Sequence, residues 1–512
     1  MSLYKYILAT LPLIGIAGCA KDDTTLGGNP ISEISIDLNS LQETYDLSKN
    51  DVLTITPKVS QSIPGKELSY EWEVEHVVVS ESPEFNYYCD ELGSFDCRLI
   101  VSNEDGKAFA TFTINVNTPY EEGLVVISKN PEGNSRISFL LNNSEGEFED
   151  AFYDYDIFST NNPEVGFAPN VSDVVVSNGN LIVSCEGDAS TPPTIYYLNE
   201  KTMDLENYVS VPEYSGFSPK QLIVCKVAFA GASYPVLSGN GKVYDFASTE
   251  GTVVESSKCP SVYDTETSVF YDSGSGTSYN IFFWDTVDDV LVTMFNGYGG
   301  YYCLQSYEER SDKKNINVTS NIFAAGKDYP VAMFIPRYKT AELMRESPSI
   351  YIITESEGKL RRTVINKDVW RYNMDEGKNY FDIRETLTDI GVAAKGKLEK
   401  GVPMIASNTN KSLFFAKGNE IYQWHYPQGN ITSASLFTTV GEPGSVVKSM
   451  DLSTDQTFLY VVSYNPSKNG LNGSCHIVEI KKTSSTEEVY AGDITDYEGI
   501  SYEPVKILYK KK

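Results

Sequence analysis

Apolar and polar side chains alternate along most of this chain. Val52-Leu-Thr-Ile-Thr-Pro-Lys-Val has the pattern, and so has Leu68-Ser-Tyr-Glu-Trp-Glu-Val. Two further stretches, Asp96-Cys-Arg-Leu-Ile-Val-Ser and Lys107-Ala-Phe-Ala-Thr-Phe-Thr-Ile-Asn-Val, are separated only by Asn103-Glu104-Asp105-Gly106. Successive side chains of a strand point to opposite faces, so period two predicts strands with one wet and one dry face. Asp-Gly between two such runs predicts a hairpin. Five or more short strands between Ile34 and Thr118 predict a β-sandwich over residues 33–118. Trp72 falls in mid-strand and is expected to pack in its core.

Thr118-Pro119-Tyr120-Glu121-Glu122-Gly123 breaks the pattern with proline and glycine, a boundary signal. Beyond it the strand pattern repeats loosely, in seven groups. Leu124-Val-Val-Ile-Ser, Asp173-Val-Val-Val, Gln221-Leu-Ile-Val-Cys and Ser268-Val-Phe-Tyr open the first four. Val331-Ala-Met-Phe-Ile, Pro403-Met-Ile-Ala and Val446-Val-Lys-Ser-Met open the last three. Dividing the 392 residues from 121 to 512 by seven gives 56 per group. Propeller repeats run about 40 to 50 residues, so 56 leaves room for longer loops. Short apolar strands separated by Gly, Asn, Asp and Ser turns predict a seven-bladed β-propeller over residues 119–512. A stack of jelly rolls is the runner-up. Val505-Lys-Ile-Leu-Tyr has no partners of its own and is expected to complete the first blade, which removes an exposed edge. Tyr372 to Lys400 breaks the pattern, as a loop or short helix inserted in the fifth blade would. The expected fold class is all-β.

At 512 residues and 41% hydrophobic, the chain has material for two or three domains with real cores. A formal net charge of −29 repels nucleic acid and anionic lipid headgroups, which disfavours both as partners. No C-x-x-C pair occurs, and His76, His425 and His476 are scattered, so no metal site is expected. Gly391-Val-Ala-Ala-Lys-Gly396-Lys397-Leu398 nearly matches a phosphate-binding loop but has leucine where magnesium needs Ser or Thr. No cofactor is expected. The members of a Ser–His–Asp triad need not be adjacent, so sequence cannot show one, although three histidines leave few combinations. With 70 acidic residues, any single carboxylate pair is uninformative.

The N-terminus carries the most specific signal. Lys5 precedes an apolar run from Tyr6 to Ile16, and small residues lead up to Cys19, as in a secretory signal of residues 1–18. The run is shorter than the about 20 residues a membrane-spanning helix needs. Ile16-Ala17-Gly18-Cys19 resembles the lipobox of bacterial lipoproteins, which implies that Cys19 is acylated and anchors the chain to a membrane. Lys21-Asp22-Asp23 resembles the acidic signal that sends Bacteroidota lipoproteins to the outside of the outer membrane. Residues 19–32 are polar and glycine-containing, as a tether is. Tyr70-Glu-Trp72 and Gly93-x-Phe95-x-Cys97-x-Leu99-x-Val101, followed by Asn103-Glu-Asp-Gly106, resemble a PKD-type, immunoglobulin-like domain. Glu73-Val74-Glu75 replaces the usual glycine-aspartate turn after Trp72. Lipobox, PKD-like module and repeated tail together resemble the PKD-like lipoprotein family of Bacteroidota. That resemblance implies an accessory role in nutrient acquisition, with a TonB-dependent transporter complex as a possible partner.

Removing Cys19 leaves seven cysteines, which an exporting cell can oxidise, and the odd count leaves at least one free. Cys89 and Cys97 flank a turn-like segment. If the flanking strands pair, a disulfide would pin the hairpin and stabilise it by roughly 2 to 3 kcal/mol. The other reading is two reduced core thiols, because Cys97 falls on an inward-facing position.

Tyrosine occurs 35 times, and some tyrosines fall in glycine-rich stretches. Asn296-Gly-Tyr298-Gly-Gly-Tyr301-Tyr302, followed by Tyr307, is the clearest case. Rings presented on a loop suit stacking on a glycan or gripping a peptide; packing between blades is the plainer reading for each. Two functions follow: a non-catalytic surface protein that binds a ligand or partner, or a glycoside hydrolase, lyase or peptidase on a propeller scaffold. The missing catalytic motifs and the scarcity of histidine favour binding.

Overall fold

The computed structural model describes residues 30–511 apart from 143–147, 149, 151, 212–215, 225–233, 248–249, 273–278, 298–299, 305–307, 312–313, 318–322, 324–326, 344–347, 367–379, 382, 392–397, 428 and 484–488. The chain divides into two compact units, one ending at Asn117 and the other beginning at Thr118.

In the first unit a five-stranded sheet runs in the order Thr44–Ser48, Gly106–Asn117, Gly93–Asn103, Ser69–Val74, Val77–Ser80. The first two strands pair in parallel and the rest antiparallel. Val52–Ile55 pairs separately with Phe85–Tyr88, and Ile34–Ile36 with Val59–Gln61. The alternation sends Leu99, Val101, Phe112 and Ile114 into one core with Leu53, Ile55 and Phe85 of the smaller pair. Trp72 is fully buried there. It stacks on Phe85 with ring centroids 4.7 Å apart and meets Phe112 edge-on at 6.1 Å. Its indole N–H donates to the Ser82 carbonyl at 2.8 Å, so the ring brings no unsatisfied donor into the core.

Of the two readings of Cys89 and Cys97, the paired-strand condition for a disulfide is not met. Phe85–Tyr88, which leads into Cys89, pairs with Val52–Ile55, whereas Gly93–Asn103 lies between Ser69–Val74 and Gly106–Asn117. The two cysteines flank a crossover between sheets, and both are free, buried thiols. Burial, with Glu75 and Asp96 nearby, pushes the Cys97 thiol up to about 12. Disulfide formation proceeds through the thiolate, so this burial lowers the reactivity of the pair.

In the second unit the described strands form seven sheets and one small additional sheet. Sheet 1 joins the two ends of the unit: Glu503–Lys510 pairs with Gly123–Lys129, which pairs with Ser135–Leu141. Sheets 2 to 7 begin at Val171–Ser177, Pro219–Leu222, Val269–Asp272, Tyr329–Phe334, Met404–Ser407 and Val446–Leu452, and each has four antiparallel strands. Val171–Ser177 lies against Glu503–Lys510 and Pro219–Leu222, and Val446–Leu452 against Met404–Ser407 and Glu503–Lys510. These are therefore the inner strands of the unit. Phe139 and Asn142, on or just past the third strand of sheet 1, bridge to Asp154 and Phe148 where a fourth strand would run.

Seven hydrophobic cores lie between successive sheets and close a cycle. Sheets 1 and 2 share Val125, Ile127, Val174 and Val183. Sheets 2 and 3 share Ile195, Val236 and Phe246, and sheets 3 and 4 share Leu237, Phe283 and Val292. Sheets 4 and 5 share Trp284 and Ile352, and sheets 5 and 6 share Ile353, Phe415 and Trp424. Sheets 6 and 7 share Phe414, Leu459 and Val478, and sheets 7 and 1 share Val462, Ile477, Leu124 and Ile507. The middle strands explain their own composition. In Ser412–Lys417, Leu413 and Phe415 enter one core while Phe414 and Ala416 enter the next, so both faces are dry and the run is continuously apolar. Leu413, Phe414 and Phe415 each contribute about 1.5–3 kcal/mol on burial. The unit is all-β and propeller-like.

The expectation of a loop or helix from Tyr372 to Lys400 is corrected in part. Ile383–Gly391 is the fourth strand of sheet 5. Tyr380–Phe381 joins Glu308–Ser311 and Lys314–Asn317 in the additional sheet.

Candidate functional site

Sheet 7 assembles a hydroxyl–imidazole–carboxylate relay from three adjacent strands. Ser463 lies on Phe458–Tyr464, His476 on Gly473–Lys482 and Asp496 on Val489–Ser501. The register places Asp496 directly opposite His476. Opposed residues bring their Cβ atoms within about 5.5 Å, close enough for a short side chain to reach the ring. His476 Nδ1 lies 2.6 Å from Asp496 Oδ1, and Nε2 lies 2.8 Å from Ser463 Oγ. An ionised carboxylate only accepts, so Nδ1 carries the proton and Nε2 is left to accept the Ser463 hydroxyl proton. The bond from His476 holds the Asp496 carboxyl below its usual value, against the opposing effect of burial.

The atom order is that of a nucleophilic triad, but its setting is not. Ser463 and His476 are each 1% exposed. Gly441, in the connection from sheet 6, closes over the hydroxyl. A Cβ there would meet Ser445 Oγ at 3.1 Å and Ser463 Oγ at 3.3 Å, and its φ of +65° is one that glycine adopts readily. A triad needs an open approach to the nucleophile and donors aimed at a developing oxyanion. Here the hydroxyl is packed under a backbone segment, and the contacts satisfy the buried Ser463 and His476 side chains while the Asp496 carboxylate remains half exposed.

The inner strands carry a second arrangement, used twice. Asp173 Oδ1 accepts from the Val174 amide at 2.9 Å and Lys506 Nζ at 2.7 Å, while Oδ2 accepts the Leu222 amide at 2.8 Å. Asp451 Oδ1 accepts from the Leu452 amide at 2.9 Å and Arg337 Nη2 at 2.5 Å, while Oδ2 accepts the Tyr509 amide at 2.7 Å. Each buried carboxylate takes its own next amide, one cation and one amide of the following sheet's inner strand. Three donors make an ionised carboxylate tolerable where water is excluded. The Arg337 carbonyl also accepts from Gln456 Nε2 at 3.0 Å, and its amide donates to the Ala406 carbonyl at 2.7 Å. These contacts link the inner strands of sheets 6, 7, 1, 2 and 3 with Arg337, which follows the first strand of sheet 5.

The sequence-predicted residues are placed as follows. Cys19, Lys21, Asp22, Asp23, Tyr298 and Tyr307 lie outside the described residues. Tyr301 and Tyr302, expected on a loop, belong to the strand Gly300–Leu304, opposite Asn296 and Phe295. That strand is an edge of sheet 4, at the opposite end from Val269–Asp272. Gly297 and Gly300 stand opposite each other at the ends of the two paired strands. Among the described residues no group of three or more His, Cys, Asp or Glu could hold a metal ion, and no helix is long and apolar enough to cross a membrane.

No protein-family model matches the chain, and no curated protein matches it either. Similar solved structures exist. One is a quinonprotein alcohol dehydrogenase-like protein of Bacteroides thetaiotaomicron, 14% identical, covering 93% of this chain and 99% of its own, with a TM-score of 0.45. A periplasmic gluconolactonase of Pseudomonas aeruginosa is 13% identical over 76% of this chain and 99% of its own, also at 0.45. The β-propeller domain of the Trilobed protease of Pyrococcus furiosus is 8% identical over 73% of this chain and 94% of its own, at 0.33. At these identities and TM-scores no activity transfers to this chain.

Proposed function

We propose that this chain is a lipid-anchored outer-membrane protein of the PKD-like lipoprotein kind that faces the medium. A PKD/Ig-like sandwich on a short tether carries a seven-bladed propeller. The propeller binds an extracellular glycan or peptide, or partners a TonB-dependent uptake complex, without turning its ligand over. Location rests on Ile16-Ala-Gly-Cys19 and Lys21-Asp22-Asp23. The observation that carries the non-catalytic reading is the burial of Ser463 Oγ under Gly441, which denies a substrate the nucleophile of the Ser463–His476–Asp496 relay. Tyr298, Tyr301, Tyr302 and Tyr307 are the first aromatic ligand candidates, since aromatics often supply a disproportionate share of binding energy.

The test uses the chain lacking residues 1–19, screened against polysaccharides and peptides for binding and for products. Binding without product formation supports the reading, and turnover overturns it. In cells, Cys19→Ala is expected to leave an uncleaved, unlipidated precursor. Alanines at Lys21, Asp22 and Asp23 are expected to leave a lipoprotein that external protease cannot reach; if it stays accessible, the surface assignment fails.

A further inference from the structure

The first unit has an edge strand whose composition its own packing does not explain. Val77–Ser80 ends the five-stranded sheet, paired on one side only, with Ser69–Val74. Val77, Val78 and Val79 are 63%, 46% and 46% exposed. Edge strands are commonly blunted by lysine, proline or inward-pointing charge, because their free N–H and C=O groups invite another strand. This one is apolar. The hairpin presenting it turns at Glu75 and His76, with φ of +50° and +66°. A two-residue turn of that kind normally takes Asn-Gly, because both positions need left-handed backbone. The strained turn is held from the neighbouring strand: the Glu75 amide donates to the Asp96 carbonyl at 2.9 Å, and the Asp96 amide donates to Glu75 Oε1 at 2.7 Å. Strain maintained by dedicated contacts is a pointer to use.

Charge says what the edge takes. Residues 71–84 contain five glutamates and no lysine or arginine. On the sheet face beside the edge, Val78 stands opposite Glu73, and Glu73 opposite Arg98, whose guanidinium is taken by Glu73 at 2.6 Å. A second copy of this chain would bring the same glutamates and a further net charge of −29, which opposes edge-to-edge pairing of copies. We propose that Val77–Ser80 accepts, as an added strand, an extended segment of a partner protein that is apolar at alternate positions and carries Lys or Arg at its ends. Backbone bonds to the edge supply affinity, the valines supply apolar contact, and the surrounding glutamates select the basic ends. This goes beyond the ligand role of the second unit and stands whether or not that role holds.

The test titrates the chain lacking residues 1–19 with the peptide Lys-Thr-Val-Thr-Val-Thr-Lys. Controls are the same peptide with glutamate ends, and the basic peptide N-methylated at alternate residues. The basic peptide is expected to bind at least tenfold more tightly than the acidic one, to weaken as salt rises, and to lose binding on N-methylation. Val77→Lys with Val79→Lys is expected to abolish binding at an unchanged melting temperature. Should that pair disturb folding, Val78→Thr is expected to weaken binding severalfold. Absence of binding, equal binding of all three peptides, or a dimer dissolved by the valine substitutions would each overturn the proposal.

Discussion

Asp451 and Tyr509 are held together across the closure of the ring: the aspartate's Oδ2 accepts the Tyr509 amide at 2.7 Å. Tyr509 lies on the C-terminal strand Glu503–Lys510, which belongs to sheet 1, and Asp451 lies on the inner strand of sheet 7. The contact joins the last sheet of the cycle to the first. Asp451→Ala would strand the Tyr509 amide and free Arg337 from its ion pair. A loss of about 2–4 kcal/mol is expected in denaturant unfolding, because buried donors lose their acceptor. Asp173→Ala, which removes the matching contact to Leu222, is expected to cost a similar amount.

Lys510 makes ring closure pH-dependent. Burial pushes its amine from the ordinary 10.5 down to about 8, with Glu200, Glu121 and Glu122 partly opposing. Between those two values the unfolded chain holds the proton and the folded chain releases it. The unfolded state then binds more protons, so stability rises with pH in that window. Unfolding midpoints measured from about pH 8 to pH 10 should therefore rise, and Lys510→Met should raise the midpoint at neutral pH and flatten the trend. A midpoint that falls equally in both proteins would contradict this.

The buried Ser463–His476 pair makes opposite predictions for stability and activity. His476→Ala leaves the Ser463 hydroxyl buried without its partner and is expected to cost about 1–3 kcal/mol. Gly441→Ala should cost about 1–3 kcal/mol, because a side chain is placed in left-handed backbone. The Asp496 carboxyl is held low in the folded state, so its contribution is present above its unfolded value and lost as pH falls through the folded one. Ser463→Ala should change no hydrolytic rate on ester or glycoside substrates, measured beside the parent protein.

Much of this architecture was legible because it is built from dry interfaces. Leu413 to Ala416 reads as apolar on both faces because two cores claim alternate residues. Trp72 reads as core and is core. The strand at Val505 reads as an orphan because its partner, Gly123–Lys129, lies at the other end of the unit. What pattern could not show depends on register and turn geometry. His476 and Asp496 meet because strands some twenty residues apart align, and polar residues in half-buried strands give no sign of their opposite number. The Glu75–His76 turn lacks the glycine that signals left-handed backbone. Ile383–Gly391 is mixed polar and apolar because it is the last strand of its sheet, so it reads as an interruption. Tyr301 and Tyr302 follow a glycine-rich stretch, which is why they read as a loop although they pair with Asn296 and Phe295.

Trp72 tests the first unit by itself. Trp72→Ala removes the stack on Phe85 and the bond to Ser82, and is expected to cost about 3–5 kcal/mol. Trp72→Phe should recover part of that. The readout is native-state proteolysis of the region ending at Asn117, with the cleavage rate rising in the order parent, Phe, Ala.

Binding by the second unit without chemistry is the proposal to be tested most directly. The most direct measurement incubates the purified chain lacking residues 1–19 with each ligand it retains from a glycan and peptide screen, then recovers that ligand for mass spectrometry. The account predicts a saturable complex from which the ligand returns with unchanged mass, equally for the parent and for Ser463→Ala. A shortened, oxidised or dehydrated ligand from the parent, absent with a heat-denatured control, would contradict it.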